Sequence, residues 1–221
     1  MSMSLAQQLA AESIAAVAKG RNLQDVLAAI RATHPELTAQ ELGALQDIAY
    51  GCQRYLGSLK YMLAQMLKKP IGNPQLESLL LAALYQLNHT RNAPHAVVNE
   101  AVENIAKIGR GQYRSFANAI LRRFLREKEQ LNVQCRRDDT AKYNFPGWWL
   151  DYMRQAYPKH WHNIVTAANG HPPLTLRINR RHGNAKGYLE KLAAEGIAGK
   201  ALDEYAVILE EAVPVSRLPG F

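Results

Sequence analysis

Residues 83–124 read ALYQLNHTRNAPHAVVNEAVENIAKIGRGQYRSFANAILRRF, and their pattern decides the fold. In the last third of the stretch, Tyr113, Phe116, Ala117, Ile120, Leu121, Phe124 and Leu125 recur at i, i+3, i+4, i+7 and i+8. This spacing predicts a helix with one apolar stripe laid on a core. Its opposite face is basic, because Arg114, Asn118, Arg122 and Arg126 follow at four-residue steps with Arg123 beside them. From Lys107 to Arg126 there are six Lys or Arg and no Asp or Glu. A solvated helix ordinarily mixes signs, since opposite charges at i, i+4 stabilise it and like charges do the reverse. A helix that forgoes those pairs points to an anionic partner; the plainer alternative is an ordinary solvated face.

Working back from this stretch, Pro94 suits the first position of a helix carrying Val97, Val98, Ala101, Val102, Ile105 and Ile108, which Gly109 and Gly111 end. Before it, Leu76, Leu79, Leu80, Ala83, Leu84 and Leu87 mark the most apolar helix of the chain and the expected centre of a bundle. Four more helical patterns precede it. Asn22 suits an N-cap, Thr38 with Glu41 forms a capping box, and Gly57 is expected to separate the third helix from the fourth. Seven helices with short connections predict a mainly α fold, an all-α bundle over residues 1–130.

Beyond residue 130 the texture changes. Residues 131–170 hold all three Trp, with Pro146 and Pro158 each placed to start a short helix, and read as a connector packed through aromatic side chains. From His171 to Phe221 a β-α-β-β pattern predicts a small α/β lobe. Leu174, Leu176 and Ile178 alternate with Thr175, Arg177 and Asn179, Asn184 caps a helix, and strands follow near Ile197–Leu202 and Ala206–Leu209. Arg177, Arg180, Arg181 and Lys186 form a second basic cluster, and the final PVSRLPGF reads as a linker.

Composition narrows the partner. The 221 residues carry a net charge of +8, which favours a polyanion such as nucleic acid. No apolar run approaches the roughly 20 residues of a spanning helix. MSMSLAQQLAAES has neither a basic start nor a long apolar run, so a cytoplasmic protein with no membrane partner is expected. Two cysteines, Cys52 and Cys135, without a CxxC pair argue against a disulfide framework or a zinc site. GRGQYR follows a helix rather than a strand and has no phosphate-loop spacing, and His160 with His162 lacks companion ligands, so neither cofactor nor metal is expected.

The segments LYQLNHTRNAPHAVVNEAVENIAK and SFANAILRRF resemble the NusB-type helical domain. Their continuation through YPKHW, HPPLTLRINRRHG and VSRLPGF resembles the N-terminal region of the ribosomal RNA small subunit methyltransferase B family. The resemblance implies a NusB-like bundle and an RNA-recognition-like lobe. Together they would form the RNA-binding portion of an enzyme that methylates carbon 5 of a cytosine in 16S ribosomal RNA with S-adenosylmethionine. In that family LPGF lies just before the catalytic domain, whose Pro-Cys and Thr-Cys motifs are not matched by GCQ or QCR here. It therefore implies no catalytic residue in this chain and a C-terminal catalytic domain as partner beside small-subunit ribosomal RNA. NusB antitermination factors carry arginines on their first helix; Leu5–Lys19 has only Lys19. The expected RNA contacts are therefore Arg110, Arg114, Arg122, Arg123 and Arg126 in the bundle, and Arg177, Asn179, Arg180 and Arg181 in the lobe. The alternatives are a stand-alone NusB-like RNA-binding or antitermination module, and a scaffold whose charge serves only solubility.

Overall fold

The computed structural model describes residues 3–170 and 172–221. The change of texture placed at His171, and the first two residues of the N-terminal stretch, lie outside the described residues. The chain divides into two compact units, Met1–Val165 and Thr166–Phe221.

Seven helices of the first unit form where the apolar periodicity places them: α1 (Met3–Ala18), α2 (Leu23–Thr33), α3 (Ala39–Arg54), α4 (Leu56–Met66), α5 (Pro74–His89), α6 (Pro94–Ala106) and α7 (Arg114–Cys135). The caps act as expected. Asn22 Oδ1 accepts from the Gln24 amide at 2.8 Å, and Thr38 and Glu41 close a reciprocal capping box. Of the 16 residues of α5, 11 are buried, which makes it the central helix around which α1, α6 and α7 pack. An amide relay ties three helices together: Asn104 Nδ2 donates to Gln7 Oε1 at 3.2 Å, and Gln7 Nε2 donates to Gln86 Oε1 at 2.7 Å.

Two glycines permit close approach. Gly51 of α3 faces the Tyr85 ring of α5 without room for a Cβ. Tyr85 is held there by its hydroxyl, which donates to Asp47 Oδ1 at 3.1 Å. Gly57 does not separate α3 from α4 as expected. The break falls at Tyr55, and Gly57 sits inside the first turn of α4, where the Thr140 carbonyl fills the space a side chain would need. That neighbour belongs to α8 (Asp139–Tyr143), capped by Asp138. The next residue, Asn144, takes a left-handed conformation with φ 56° and accepts from the Ser58 amide at 2.8 Å. A residue of the connector thus caps α4, whose own N-cap, Tyr55, supplies no side-chain hydrogen bond. Asn144→Ala should destabilise the bundle by about 1–2 kcal/mol, from the lost cap and the cost of a left-handed alanine. A chemical denaturation midpoint unchanged from the parent would refute that role.

Beside Tyr85, His89 stacks on Tyr55 with ring centroids 3.9 Å apart. Burial of the ring face, with Lys128 adding repulsion, lowers its pKa from 6.5 to about 4. The unfolded chain therefore takes up this proton first as pH falls. Stability should decline between pH 6.5 and about 4 and flatten below. In His89→Gln, denaturation midpoints across that window should fall less steeply.

The aromatic connector continues as α9 (Gly147–Ala156) and α10 (Trp161–Ala168). Tyr143, Leu150 and Val165 form a small core of their own, with Phe145, Trp149 and Trp161 packed against it. Trp148, by contrast, is 72% exposed.

The second unit is a three-stranded antiparallel sheet of β1 (Thr175–Arg177), β2 (Gly199–Asp203) and β3 (Ala206–Leu209), in the order β1-β3-β2, with α11 (Ala185–Ala194) on one face. Val207 and Leu209 turn inward to meet Ala185 and Leu192, while Thr175 and Arg177 are exposed. The first strand is shorter than the alternation from Leu174 to Asn179 suggested, because the chain leaves β3 after Ile178, whose amide donates to Tyr205 O at 2.7 Å.

Candidate nucleic-acid interface

The arginines of α7 fall into two groups, those exposed and those engaged within the bundle. Arg122 and Arg126 lie one turn apart, are exposed, and carry no ion pair among the described residues. Arg110 is also exposed and has no ion pair among the described residues, on the turn before α7, in a left-handed conformation with φ 56°. Arg114, also exposed, pairs with Glu103 of α6. Arg123 is turned along the bundle. Its Nε donates to both oxygens of Glu127 at 3.0 Å, and its Nη1 donates to the Met66 carbonyl at 3.1 Å. Lys128 does the same for α5, donating to Leu87 O at 2.8 Å. These two cations close the C-terminal ends of neighbouring helices, where carbonyls lack partners and the helix dipole favours positive charge.

The bundle also brings together cations that the sequence keeps apart. Lys19 and Arg21 after α1, Lys69 before α5, and Tyr113 and Phe116 at the start of α7 line one open groove of about 1230 Å³. Phe116, expected in the apolar stripe, is 37% exposed and forms part of this groove. Asn73 and Gln75 add polar groups beside it. Three cations against one carboxylate, Glu12, over aromatic rings suit a single-stranded polyanion whose bases stack. The groove leaves no local signal in the sequence because its cations come from segments some fifty residues apart.

In the lobe, Arg177, Arg180 and Arg181 line a recess of about 950 Å³ together with Asp203 and Tyr205. The Arg180 guanidinium lies 4.4 Å from the Tyr205 ring centroid, and the Tyr205 hydroxyl donates to Glu204 at 2.9 Å. The Asn179 side-chain oxygen accepts from the Arg181 amide at 3.0 Å.

Neither thiol is suited to attack. Cys52 and Cys135 are buried, burial drives the Cys52 thiol far above its ordinary range, and it pushes Cys135 up to about 11. Among the described residues no group of three or more His, Cys, Asp or Glu is placed to hold a metal, and no helix is long and apolar enough to cross a membrane.

A seven-helix bundle with an appended antiparallel lobe, both bearing exposed arginines, defines a class of two-part helical protein. The NusB family model matches residues 4–126, more than half of the chain, and the chain belongs to the NusB family. A model described as the RsmF/B-like methyltransferase ferredoxin-like domain matches residues 145–216. Similar relatives include the protein called ribosomal RNA small subunit methyltransferase B from Pectobacterium carotovorum, 36% identical over 216 residues. Its namesake from Escherichia coli K12 is 34% identical over 220 residues. These alignments take in 95% and 97% of this chain, and the chain spans about half the length of the curated relatives it matches. The crystal structure of PH0851 shares the fold, with a TM-score of 0.62 at 13% identity, covering 98% of this chain and 50% of that one.

The described residues do not fit S-adenosylmethionine. The sheet is antiparallel, and no strand runs through a glycine-rich loop into a helix as a Rossmann-type site requires.

Proposed function

We propose that this chain is the RNA-gripping part of a cytoplasmic S-adenosylmethionine-dependent 16S ribosomal RNA cytosine-C5 methyltransferase. Bond-making would belong to a catalytic domain of the kind its longer relatives carry. The observation that supports this best is the paired match: a NusB bundle followed by an RsmF/B-like lobe, aligned over nearly the whole chain with half of each relative. Residues 1–130 would supply the first RNA contact, 131–170 the aromatic brace, and 171–221 the second contact.

In this reading Arg110, Arg122 and Arg126, with Arg114 once it leaves Glu103, track phosphates along the bundle. Lys19, Arg21 and Lys69 neutralise a strand whose bases meet Tyr113 and Phe116. Arg177, Arg180 and Arg181 take phosphates at the lobe, and the Asn179 amide approaches a base edge in an unpaired region. Arg123 serves RNA only indirectly, by fixing α7 on α4.

The reading is tested by titrating small-subunit ribosomal RNA fragments at several salt concentrations. If about six cations meet a single strand, log K should fall with log salt at a slope of roughly −4. A salt-insensitive association would overturn it and favour the scaffold.

A further inference from the structure

Among the described residues the sheet of the lobe has two edges with no pairing strand, and only one is blunted. On β2 the register with β3 slips between Ala201 and Asp203, a bulge that spoils further pairing. On β1 the register is regular: Thr175 faces Ile208, Leu176 faces Val207 and Arg177 faces Ala206. Leu209 N donates to Leu174 O at 2.9 Å and Ile178 N donates to Tyr205 O at 2.7 Å, so the even-numbered residues direct their backbone groups to β3. Antiparallel alternation then turns the N–H and C=O of Thr175 and Arg177 outward. Beside that edge lies a groove of about 720 Å³ between β1 and α11. Leu176, Ile178 and Tyr188 supply apolar lining, Arg177 and Lys191 supply positive charge, and among the described residues no Asp or Glu lines it. A ferredoxin-like fold runs β-α-β-β-α-β, and the described lobe holds the first four of those elements.

We propose that the β1 edge and this groove receive an extended peptide strand from the polypeptide by which the longer relatives exceed this chain. The strand completes the sheet by backbone pairing with Thr175 and Arg177. Alternate apolar side chains enter the groove, and carboxylates meet Arg177 and Lys191. Pro219 and Phe221 already line the same groove, so residues joined to them reach it over a short loop. A second copy of the lobe fits poorly, since it would set Arg177 and Lys191 against their own kind. RNA fits poorly as well, because a row of alternating backbone donors and acceptors at strand spacing matches another strand. The proposal rests on the reading of this chain as one part of a longer methyltransferase.

The test compares backbone hydrogen exchange in the 221-residue chain with that in a chimera continued by the unmatched half of the Pectobacterium carotovorum relative. The segment containing Thr175 and Arg177 should exchange at least about tenfold more slowly in the chimera, with or without ribosomal RNA. Thr175→Pro should abolish that protection while the Ile178 and Leu209 amides, which pair within the lobe, stay protected. Equal exchange in both proteins would overturn the proposal, as would protection that appears in the short chain only on raising its concentration or only on adding RNA. Should the chimera fail to fold, adding the relative's half as a separate polypeptide gives the same comparison. Because the arms read β1 amides, their failure is distinct from a failure of the salt-dependent RNA binding that tests the proposed function.

Discussion

Reversing Arg122 and Arg126 to Glu together should weaken binding of small-subunit ribosomal RNA fragments by on the order of a hundredfold at low salt, with the fold intact. Both side chains are exposed and carry no ion pair among the described residues, so the exchange removes no contact that supports the bundle. Two phosphate contacts would be lost and two repulsions gained. The slope of log K against log salt should shrink by about 1.4 for a single-stranded site. Arg123→Glu should behave in the opposite way. It places a carboxylate beside Glu127 and leaves the Met66 carbonyl without its donor, so the melting temperature should fall, with a smaller loss of affinity that follows unfolding. If Arg122→Glu with Arg126→Glu leaves affinity unchanged, the basic face of α7 has no part in the grip. A scaffold becomes the better reading in that case.

Gly51→Ala should be among the most damaging single substitutions in the bundle. A methyl there falls inside the van der Waals envelope of the Tyr85 ring, and that ring is pinned by its hydrogen bond to Asp47 and by stacking with His89 and Tyr55. Overpacking of this kind costs about 3 kcal/mol. For a unit of this size the melting temperature should drop by roughly 6–12 °C. The cause can be isolated. Trimming the obstructing ring, as in Tyr85→Leu, should make the alanine at position 51 nearly harmless in the double variant, a coupling that independent sites do not show. Additive losses would mean that the collision is relieved elsewhere and that Gly51 has another role.

Much of this architecture was legible before any coordinates. Apolar spacing placed the helices around α5 because each buries mainly one stripe, and the central position of α5 followed from its dense run of leucines, buried all round. Caps such as Thr38 with Glu41 are local, so residues three apart suffice to find them. What stayed hidden depends on contacts across the chain. Gly57 looked like a break because its nearest neighbour, the Thr140 carbonyl, is remote in sequence. Arg123 looked like one more surface cation because the carbonyl it serves, at Met66, is 57 positions away. Phe116 fitted the apolar stripe by phase, yet the stripe is wider than the core it covers, and the ring at its margin became the wall of a groove. Among the arginines, types and spacing singled out the basic face. Only the fold could say which members were already engaged.

The engagement of Arg123 and Lys128 with the ends of α4 and α5 bears on how mutant libraries of this domain should be built. A scheme that neutralises every lysine and arginine on α7 would draw together two kinds of loss, weakened ligand capture and a loosened chassis. Abundance in cells would register the second before any assay of RNA binding registered the first. Keeping those two positions fixed while varying the rest separates the phenotypes at the outset.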